Sequence, residues 1–310
     1  MTNSEFRIQN SEFCSTEYLE KALVIVNEIG HKEGEAACYG KLAVVFKHHG
    51  EYFKATEYLE KALAISMEIG EREKDAACYT NLGTLFDSLD EHVKATEYLE
   101  KAVAVSMEIG YRAGVAISSS RLAHVWLSRR NYRKAKEYLD QALAISTEIG
   151  DRAEEAICYY SLGTLFHELG DNVKAKEYHE KSLAMALGIG HRELAALNYN
   201  SLGSTFVVLG KHIMAEECFQ KALSSVSENT VADPHVEYYS NLGLTATKIS
   251  QNRFQEAFSY LFRSLATYEK MRGVNVESDQ VKMPLADYQV VPYQTVSGLF
   301  YASGNPTCAL

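Results

Sequence analysis

Five basic residues recur at intervals of forty residues, and side chains of this type are suited to holding carboxylates. They are Lys32, Arg72, Arg112, Arg152 and Arg192, which we call the basic ladder. Each stands before a predicted helix, where a positive charge opposes the helix dipole, so local stability does not explain it. We predict that the basic ladder grips Asp and Glu side chains of a partner through charge-assisted hydrogen bonds. The alternative is a series of surface ion pairs with neighbouring glutamates, each worth about 0–1 kcal/mol.

Other residue types that serve in catalysis are present, but their spacing does not form a catalytic or metal-binding motif. The ten histidines include no H-E-x-x-H sequence, and the chain has no G-x-S-x-G or Walker sequence. The phrase GIGHRE at Gly188 lacks the third glycine and the preceding strand of a dinucleotide-binding loop. Pairs of acidic residues are frequent, but helical repeats place them on solvent-facing surfaces. We therefore predict that the chain is not an enzyme and binds no metal and no cofactor.

The six cysteines predict packing rather than disulfide or metal chemistry, because no C-x-x-C sequence occurs. Cys38, Cys78 and Cys158 stand at the same place in different repeats. Stacked repeats would hold them farther apart than the roughly 7 Å limit for a disulfide. We expect them to be small apolar side chains in a helix seam.

Charge and hydropathy argue against nucleic-acid-binding, membrane-spanning and secreted proteins. The chain has 31 basic and 41 acidic residues, a formal charge of −10, whereas nucleic-acid-binding domains are usually basic. It has no uncharged apolar run of about 18 residues, so we predict no membrane span. The first residues, MTNSEFRIQN, lack the apolar core of a secretory signal. These features predict a cytoplasmic protein that binds neither nucleic acid nor the interior of a membrane.

A fixed repeat organises the chain, because EYLEKALAISMEIG at residues 57–70 recurs almost unchanged forty residues before and after it. Periods of 20–50 residues are typical of arrays in which each unit packs on its neighbours. Four columns share the period: Gly30, Gly70, Gly110, Gly150 and Gly190; Leu42, Leu82, Leu122, Leu162, Leu202 and Leu242; Phe46, Phe86, Trp126, Phe166 and Phe206; and Ala55, Ala95, Ala135, Ala175 and Ala215.

Each repeat has the apolar spacing of two helices. Residues 92–110 carry apolar side chains at i, i+3, i+4 and i+7, and Gly110 ends this helix because glycine takes the left-handed cap without steric cost. Residues 75–89 carry a second apolar face, so each repeat is a helix A, a turn and a helix B. Glycines such as Gly83 lie inside helix A at a cost of about 1 kcal/mol, which predicts close approach to the Ala95 column of helix B.

The predicted array has irregular ends. We expect residues 1–10 to be disordered, and residues 11–30 read as a helix B without a helix A. Six hairpins are predicted to begin near residues 33, 73, 113, 153, 193 and 235, and the array is predicted to end at residue 272. The sixth hairpin has SENTVADPH in place of a glycine turn and two residues inserted before Ala257. Residues 273–292 are predicted to be a linker or loop, and residues 293–310 the start of a further, truncated hairpin.

The repeat resembles the tetratricopeptide (TPR) repeat. The TPR signature of aromatic, Leu-Gly, aromatic, Ala, large and Ala is matched by Tyr79, Leu82, Gly83, Phe86, Ala95, Leu99 and Ala102. The match covers almost the entire chain, although the period is forty residues and the proline near the end of helix B is absent. The forty-residue form is similar to G-protein signalling modulators of the LGN/Pins type. The tail from Asp279 to Leu310 is similar to a segment of large metazoan TPR proteins that carry a caspase-like (CHAT) domain.

The TPR resemblance implies an all-α fold, a right-handed α-solenoid in which helix A lines a concave groove that binds a protein or peptide. The groove candidates it implies are hydrogen-bonding side chains of helix A, and the alternative is that they are simply solvated helix faces. The candidates are Thr80, Asn81, Thr84, Ser120, Arg121, His124, Tyr160, Thr164, His167, Asn200 and Ser204.

The similarity to LGN-type proteins also implies an acidic partner, because arginines near the basic-ladder edge hold acidic peptides in those proteins. Their groove asparagines are matched here by Asn81 and Asn241, but not by Lys41, Arg121, Ser161 and Ser201. We therefore predict a signalling or polarity adaptor, a non-enzymatic scaffold. The alternative is an array that controls a C-terminal CHAT effector domain.

Two other surfaces have open interpretations. The sequence SRRNYRKAK gathers basic residues at one turn, and it fits a lipid or acidic-partner patch or an ordinary solvated surface. Its basic residues are Arg129, Arg130, Arg133, Lys134 and Lys136. Exposed seams at both ends of the array predict self-association.

Overall fold

The computed structural model describes residues 3–227 and 234–275, with side chains described within residues 16–225 and 234–271 except at His48. All regular secondary structure in these residues is helical, which confirms the predicted all-α class for them. The helices are α1 (Asn3–Glu28), α2 (Lys32–His48), α3 (Tyr52–Ile69), α4 (Arg72–Ser88), α5 (His92–Glu108), α6 (Arg112–Ser128), α7 (Tyr132–Ile149), α8 (Arg152–Glu168), α9 (Asn172–Gly188), α10 (Arg192–Val208), α11 (His212–Ser227), α12 (Pro234–Ser250) and α13 (Phe254–Asn275).

The helices pair in chain order within two structural units, residues 1–151 and residues 152–310. In the first unit, the hairpins α2–α3, α4–α5 and α6–α7 stack in sequence, and α1 packs on α2. In the second unit, the hairpins α8–α9, α10–α11 and α12–α13 stack in the same way. Even-numbered helices are helix A and the odd-numbered helices from α3 to α13 are helix B. The A helices of the six hairpins begin one residue before the positions expected from the sequence.

Left-handed residues separate the helices, as the sequence predicts. Gly110 has φ 71° after α5, and Gly50, Gly170 and Gly210 have φ between 69° and 78° in turns from helix A to helix B. Asp90, Arg130 and Asn252 occupy the equivalent place in the other three hairpins, also with positive φ. Because glycine bears no Cβ, it takes this conformation at the least cost.

The glycines inside helix A allow helix B to approach closely, which confirms the reason predicted for them. A Cβ on Gly83 would lie 2.5 Å from Cγ of Leu99 and 3.1 Å from the carbonyl oxygen of Ala95. Gly163 and Gly203 face His179 and Phe219 in the same way. The alanine column from Ala55 to Ala215 is fully buried beside these contacts.

The last hairpin departs from the predicted columns. Leu242 was assigned to the buried leucine column, but it is only partly buried, and Leu244 is 0% exposed and packs with Leu202 and Phe219. The turn that follows keeps its usual length, since the N–H of Arg253 donates to the carbonyl of Lys248 as Lys211 does to Phe206. The two extra residues therefore precede Leu244 and shift the register of α12. They do not lengthen the turn between α12 and α13.

The beginning of the chain also differs from the prediction. Helix α1 starts at Asn3, so residues 3–10 are helical where the sequence analysis expected disorder. Neither glycine nor proline occurs before Gly30, so no strong helix breaker interrupts this segment. At the other end, α13 continues to Asn275, beyond the predicted boundary at residue 272. The rest of the predicted linker and the predicted truncated hairpin lie outside the described residues.

The buried cysteines of the core act as packing residues. Cys38, Cys78 and Cys158 are buried free thiols, and burial raises the pKa of Cys78 to about 11, which keeps the thiol protonated. Within the described part of the chain, no group of three or more His, Cys, Asp or Glu residues could hold a metal ion. No described helix has the length and apolar character needed to cross a bilayer.

Candidate functional site

Three successive A helices of the first unit carry unpaired polar side chains at the same position. These are Lys41 on α2, Asn81 on α4 and Arg121 on α6, which we call the donor column. Lys41 and Asn81 are exposed and Arg121 is partly buried. Among the described residues, none of the three makes a hydrogen bond or an ion pair, so their donors are available to a ligand.

Lys47 lies six residues after Lys41 on α2, about 1.7 turns, and is a further cation that the charge of Arg121 reaches. Burial lowers the pKa of Lys47, the positive charge of Arg121 lowers it further, and Asp87 acts in the opposite direction. Lys47 and Arg121 therefore repel each other even though α4 lies between their helices in the stack. The sequence analysis missed Lys47. Its signal was a charged residue in the same column as the groove candidate His167 and as Asp87, which was not among the groove candidates.

The one carboxylate near these cations is already engaged. Oδ2 of Asp87 lies 2.9 Å from Nδ1 of His124, and Oδ1 of Asp87 lies 3.2 Å from Nδ1 of His92. Asp87 thus links α4 to α6 and to the start of α5. It leaves Lys47 and Arg121 without a carboxylate of their own at ion-pair distance among the described residues.

The hydroxyl candidates of the first unit are used inside the fold. Thr80 donates to the carbonyl of Ala76, and its oxygen lies 2.9 Å from that of Ser118 on α6. Thr84 donates to the carbonyl of Thr80, and the buried Ser120 donates to its own helix in the same way. These hydroxyls join neighbouring A helices or satisfy backbone groups, so they contribute few free donors to a ligand.

In the second unit, Tyr160, Thr164 and His167 lie together on α8 and are partly buried. Burial raises the pKa of Tyr160, and hydrogen bonds with Ser201 and Thr164 oppose that shift. The Tyr160 ring lies 5.5 Å from the ring of the buried His179. This group is a polar part of the core, in which Nδ1 of His167 has no described hydrogen-bond partner.

The remaining candidates of the second unit have different environments. Asn200 is buried, and its side chain connects α10 to α12 by donating to the carbonyl of Val236 and accepting from the Ser240 hydroxyl. Ser204 is exposed on α10. The structure therefore keeps Ser204 on the surface and places Asn200 within the helix packing.

The basic ladder is occupied by the chain's own carboxylates. Arg72 lies 3.3 Å from Asp75 and 2.6 Å from Glu108, and Arg112 forms an ion pair with Glu148. Lys32 lies 3.4 Å from Glu35 and Arg152 lies 3.2 Å from Glu155, and Arg192 also has an interaction within the chain.

Two kinds of carboxylate serve these bases, one three residues later on the same helix and one 36 residues later on the following helix B. Arg72 has both kinds, whereas Arg112 has Val115 at the nearer position and uses only Glu148. The pairs are solvent-exposed on the basic side, so each is worth about 0–1 kcal/mol. A partner that binds the ladder must compete with these neighbours.

Comparison with known proteins identifies the repeat. Two family models described as tetratricopeptide repeat match residues 42–108 and 114–187, and residues 196–225, which together exceed half of the chain. No curated protein sequence matches this chain. Neither family model describes a catalytic domain.

Several solved structures share the fold at low identity. The apo form of RapI is 17% identical with a TM-score of 0.67, over 87% of this chain and 96% of that chain. A Rap protein complexed with competence and sporulation factor is 13% identical with a TM-score of 0.61, over 90% and 77%. A tetratricopeptide repeat protein from Parabacteroides merdae is 13% identical with a TM-score of 0.58, over 88% and 94%. At these identities the likeness establishes the fold alone.

Proposed function

Because the chain belongs to the tetratricopeptide repeat family, we propose that it is a non-enzymatic scaffold that binds an acidic peptide segment of a partner protein. The proposed site is the donor column of Lys41, Asn81 and Arg121, together with Lys47. Lysine and arginine would pair with Asp or Glu side chains of the peptide, and the Asn81 amide would bind its backbone. The site is proposed for the first unit by itself.

The observation that carries this proposal is that Lys41, Asn81 and Arg121 hold one position on three successive A helices and have no hydrogen-bond or ion-pair partner among the described residues. Lys47 and Arg121 strengthen the proposal, because the charge of Arg121 lowers the pKa of Lys47 and Asp87, the carboxylate that opposes this effect, already contacts two histidines. A bound carboxylate between them would remove the repulsion and form charge-assisted hydrogen bonds. The basic ladder lacks this property, because each of its members has a partner within the chain. We retain the ladder as a secondary contact.

The solved Rap complex gives general support, since that protein was crystallised with competence and sporulation factor. A protein of this fold can therefore hold a ligand. The signalling role is supported by no more than this likeness and the predicted resemblance to LGN-type proteins. A role in controlling a CHAT domain rests on the tail beyond Asp279, which lies outside the described residues, so we place it second.

We propose a cytoplasmic setting on chemical grounds. The described cysteines Cys38, Cys78, Cys158 and Cys218 are all free thiols. Reduced cysteines are typical of proteins kept in a reducing compartment. Oxidant-induced crosslinking of the purified chain in the presence and absence of glutathione would test whether the thiols need that environment.

The test of peptide binding uses a fluorescently labelled oligoglutamate peptide and the full 310-residue chain. The variant Lys47→Gln/Arg121→Gln removes two positive charges from the donor column region. The matched control Arg72→Gln/Arg112→Gln removes two from the ladder of the same unit. We expect the first variant to weaken binding about tenfold and the control less than about threefold, with unchanged helicity by circular dichroism. Equal losses would indicate non-specific attraction, and a larger loss in the control would move the site to the ladder.

A further candidate property is self-association, which the exposed surface of α1 favours. Tyr18 is 70% exposed and Ile25 is 56% exposed. Of their counterparts on α3, Tyr58 stacks on Phe46 and Ile65 is buried. Helix α1 has the sequence of a helix B, but no described helix A covers this face. A second copy of the chain would gain apolar burial there at about 25 cal/mol per Å².

A further inference from the structure

The turn between α6 and α7 lies in a stretch of sequence that is rich in basic residues. From Ile109 to Lys136 the sequence contains seven Lys and Arg residues and not one Asp or Glu, although the chain as a whole has a charge of −10. Three of the seven, Arg129, Arg130 and Arg133, are exposed at this turn, which we call the arginine turn. It lies at the end of the hairpin and shares no residue with the donor column.

Within the described part of the chain, these arginines have at most one distant carboxylate. Among the described residues, Arg129 and Arg130 have no carboxylate within ion-pair distance. Arg133 is 84% exposed and is 3.8 Å from Glu137, a long and fully hydrated contact. The basic ladder provides the contrast, because there each base has a partner in the fold. The arginine turn therefore presents three guanidinium groups that remain available for an anion.

Arg130 stands where a large side chain is unfavourable. Its φ is 55°, in the left-handed region, and the equivalent turns use Gly50, Asp90, Gly170 and Gly210. Glycine, asparagine and aspartate tolerate this conformation, whereas a long side chain on Cβ is strained there. The backbone N–H of Arg130 donates to the carbonyl of Leu127, but its side chain makes no hydrogen bond or ion pair within the described residues, so no side-chain contact compensates the strain. A strained residue at the surface whose side chain makes no stabilising contact is typical of a functional position.

A neighbouring aromatic ring orders part of the turn. The guanidinium carbon of Arg129 lies 4.7 Å from the centre of the Trp126 ring, and Nζ of Lys134 lies 4.0 Å from it. Trp126 is buried, so the ring is a fixed platform. A guanidinium stacked on a ring keeps its N–H donors in the plane of the group, where they can bind a carboxylate in a bidentate manner. Less side-chain entropy is then lost on binding.

We propose that the arginine turn is a second binding surface of this protein, which takes an acidic segment of a protein partner through Arg129, Arg130 and Arg133. Three guanidiniums within five residues match two or more closely spaced Asp or Glu side chains. An anionic membrane fits less well, because the net charge of −10 opposes approach and the turn presents no exposed large apolar side chain for insertion. The inference does not require the donor column to bind anything.

The test uses a substitution that should change stability and binding in opposite directions. Arg130→Gly gives the turn the glycine found in three other hairpins and relieves the left-handed strain. We expect the melting temperature to rise by about 2 °C, while affinity for a labelled oligoglutamate peptide falls about threefold. Arg129→Leu/Arg133→Val, which copies Leu89 and Val93, should reduce affinity about tenfold when it is made in the Lys47→Gln/Arg121→Gln background, where the donor column contributes least.

Two control variants make the outcome decisive. Arg112→Gln removes one exposed positive charge from the same hairpin but one that Glu148 already pairs, so it should change affinity less than Arg130→Gly does. Lys47→Gln/Arg121→Gln separates the two surfaces, because peptide binding that survives it must occur elsewhere. Unchanged affinity in Arg130→Gly and Arg129→Leu/Arg133→Val would overturn the proposal. So would binding to phosphatidylserine vesicles that these variants abolish while oligoglutamate binding persists.

Discussion

The Nζ of Lys248 lies 2.6 Å from Oε1 of Glu216, and this pair joins the last hairpin to the one before it. Lys248 is 1% exposed and also lies 3.3 Å from Glu256. By the spacing to the following turn, it occupies the place of the aromatic column in the other five hairpins. The shift of register in α12 thus replaces an aromatic ring by a buried cation, and two carboxylates compensate its charge.

Removing one partner of this buried pair should destabilise the second unit. In Glu216→Gln, Lys248 keeps only Glu256 as a counter-ion, and we expect a loss of about 2 kcal/mol in the free energy of unfolding. Urea denaturation followed by circular dichroism measures it. Glu217→Gln, which neutralises the exposed neighbour, should cost less than about 0.5 kcal/mol. Equal effects of the two variants would mean that Lys248 is hydrated in solution.

The buried His179 should make stability depend on pH. It replaces the leucine found at Leu59, Leu99 and Leu139, and it is 1% exposed. Burial lowers its pKa to about 4, although a hydrogen bond with Asn198 acts in the opposite direction. The unfolded chain, with a histidine pKa near 6.5, therefore binds a proton that the folded chain does not between pH 6.5 and 4.

The contribution of His179 to the free energy of unfolding is fully present above about pH 6.5. It falls by about 3 kcal/mol at most as the pH drops towards 4. Urea titrations at successive pH values should show that His179→Leu removes this part of the decline. His124→Gln, which removes an exposed histidine of the first unit, should leave it in place. A parallel decline in the parent and His179→Leu would show that the imidazole is solvated.

Two serines at equivalent positions should respond oppositely to truncation. The Ser66 hydroxyl donates to buried Asp75 at 2.6 Å, whereas the buried Ser106 hydroxyl has no described partner because Val115 stands opposite it in the repeat. Ser66→Ala should cost about 1–3 kcal/mol, since it leaves the Asp75 carboxylate short of a donor. Ser106→Ala should be neutral or stabilising by up to about 1 kcal/mol. Thermal and urea unfolding of the two variants, compared at the same pH, measure the difference.

Self-association through α1 should be sensitive to its exposed apolar residues. We expect light scattering of the parent to show a mass that increases with concentration, and Tyr18→Ser/Ile25→Ser to remain monomeric. The control Val93→Ser removes an apolar side chain that is similarly exposed on α5 and should not alter the association. A parent that stays monomeric at the highest accessible concentration would end this proposal.

Local pattern made most of the fold predictable. The fixed period aligned Ala95 with Ala135 and Gly83 with Gly163, and the structure buries both columns where the A and B helices meet. Side chains that face a partner helix are set by helical periodicity, which the sequence displays directly. The sequence did not predict where in α12 the two extra residues lie, because Leu242 and Leu244 are both apolar and either could enter the core. Only packing against Phe219 selected Leu244.

For the candidate binding sites, too, the sequence predicted one part and the packing of the helices decided the other. The sequence by itself determined which cations recur, from Arg72 to Arg192, because spacing along the chain is covalent. Only the tertiary structure decided which of them are free. Stacking brings Glu108 onto Arg72 across 36 residues and sets Lys47 against Arg121 from helices that are not neighbours. Electrostatic pairing depends on distances of a few ångströms in space, and the packing of hairpins on one another fixes those distances.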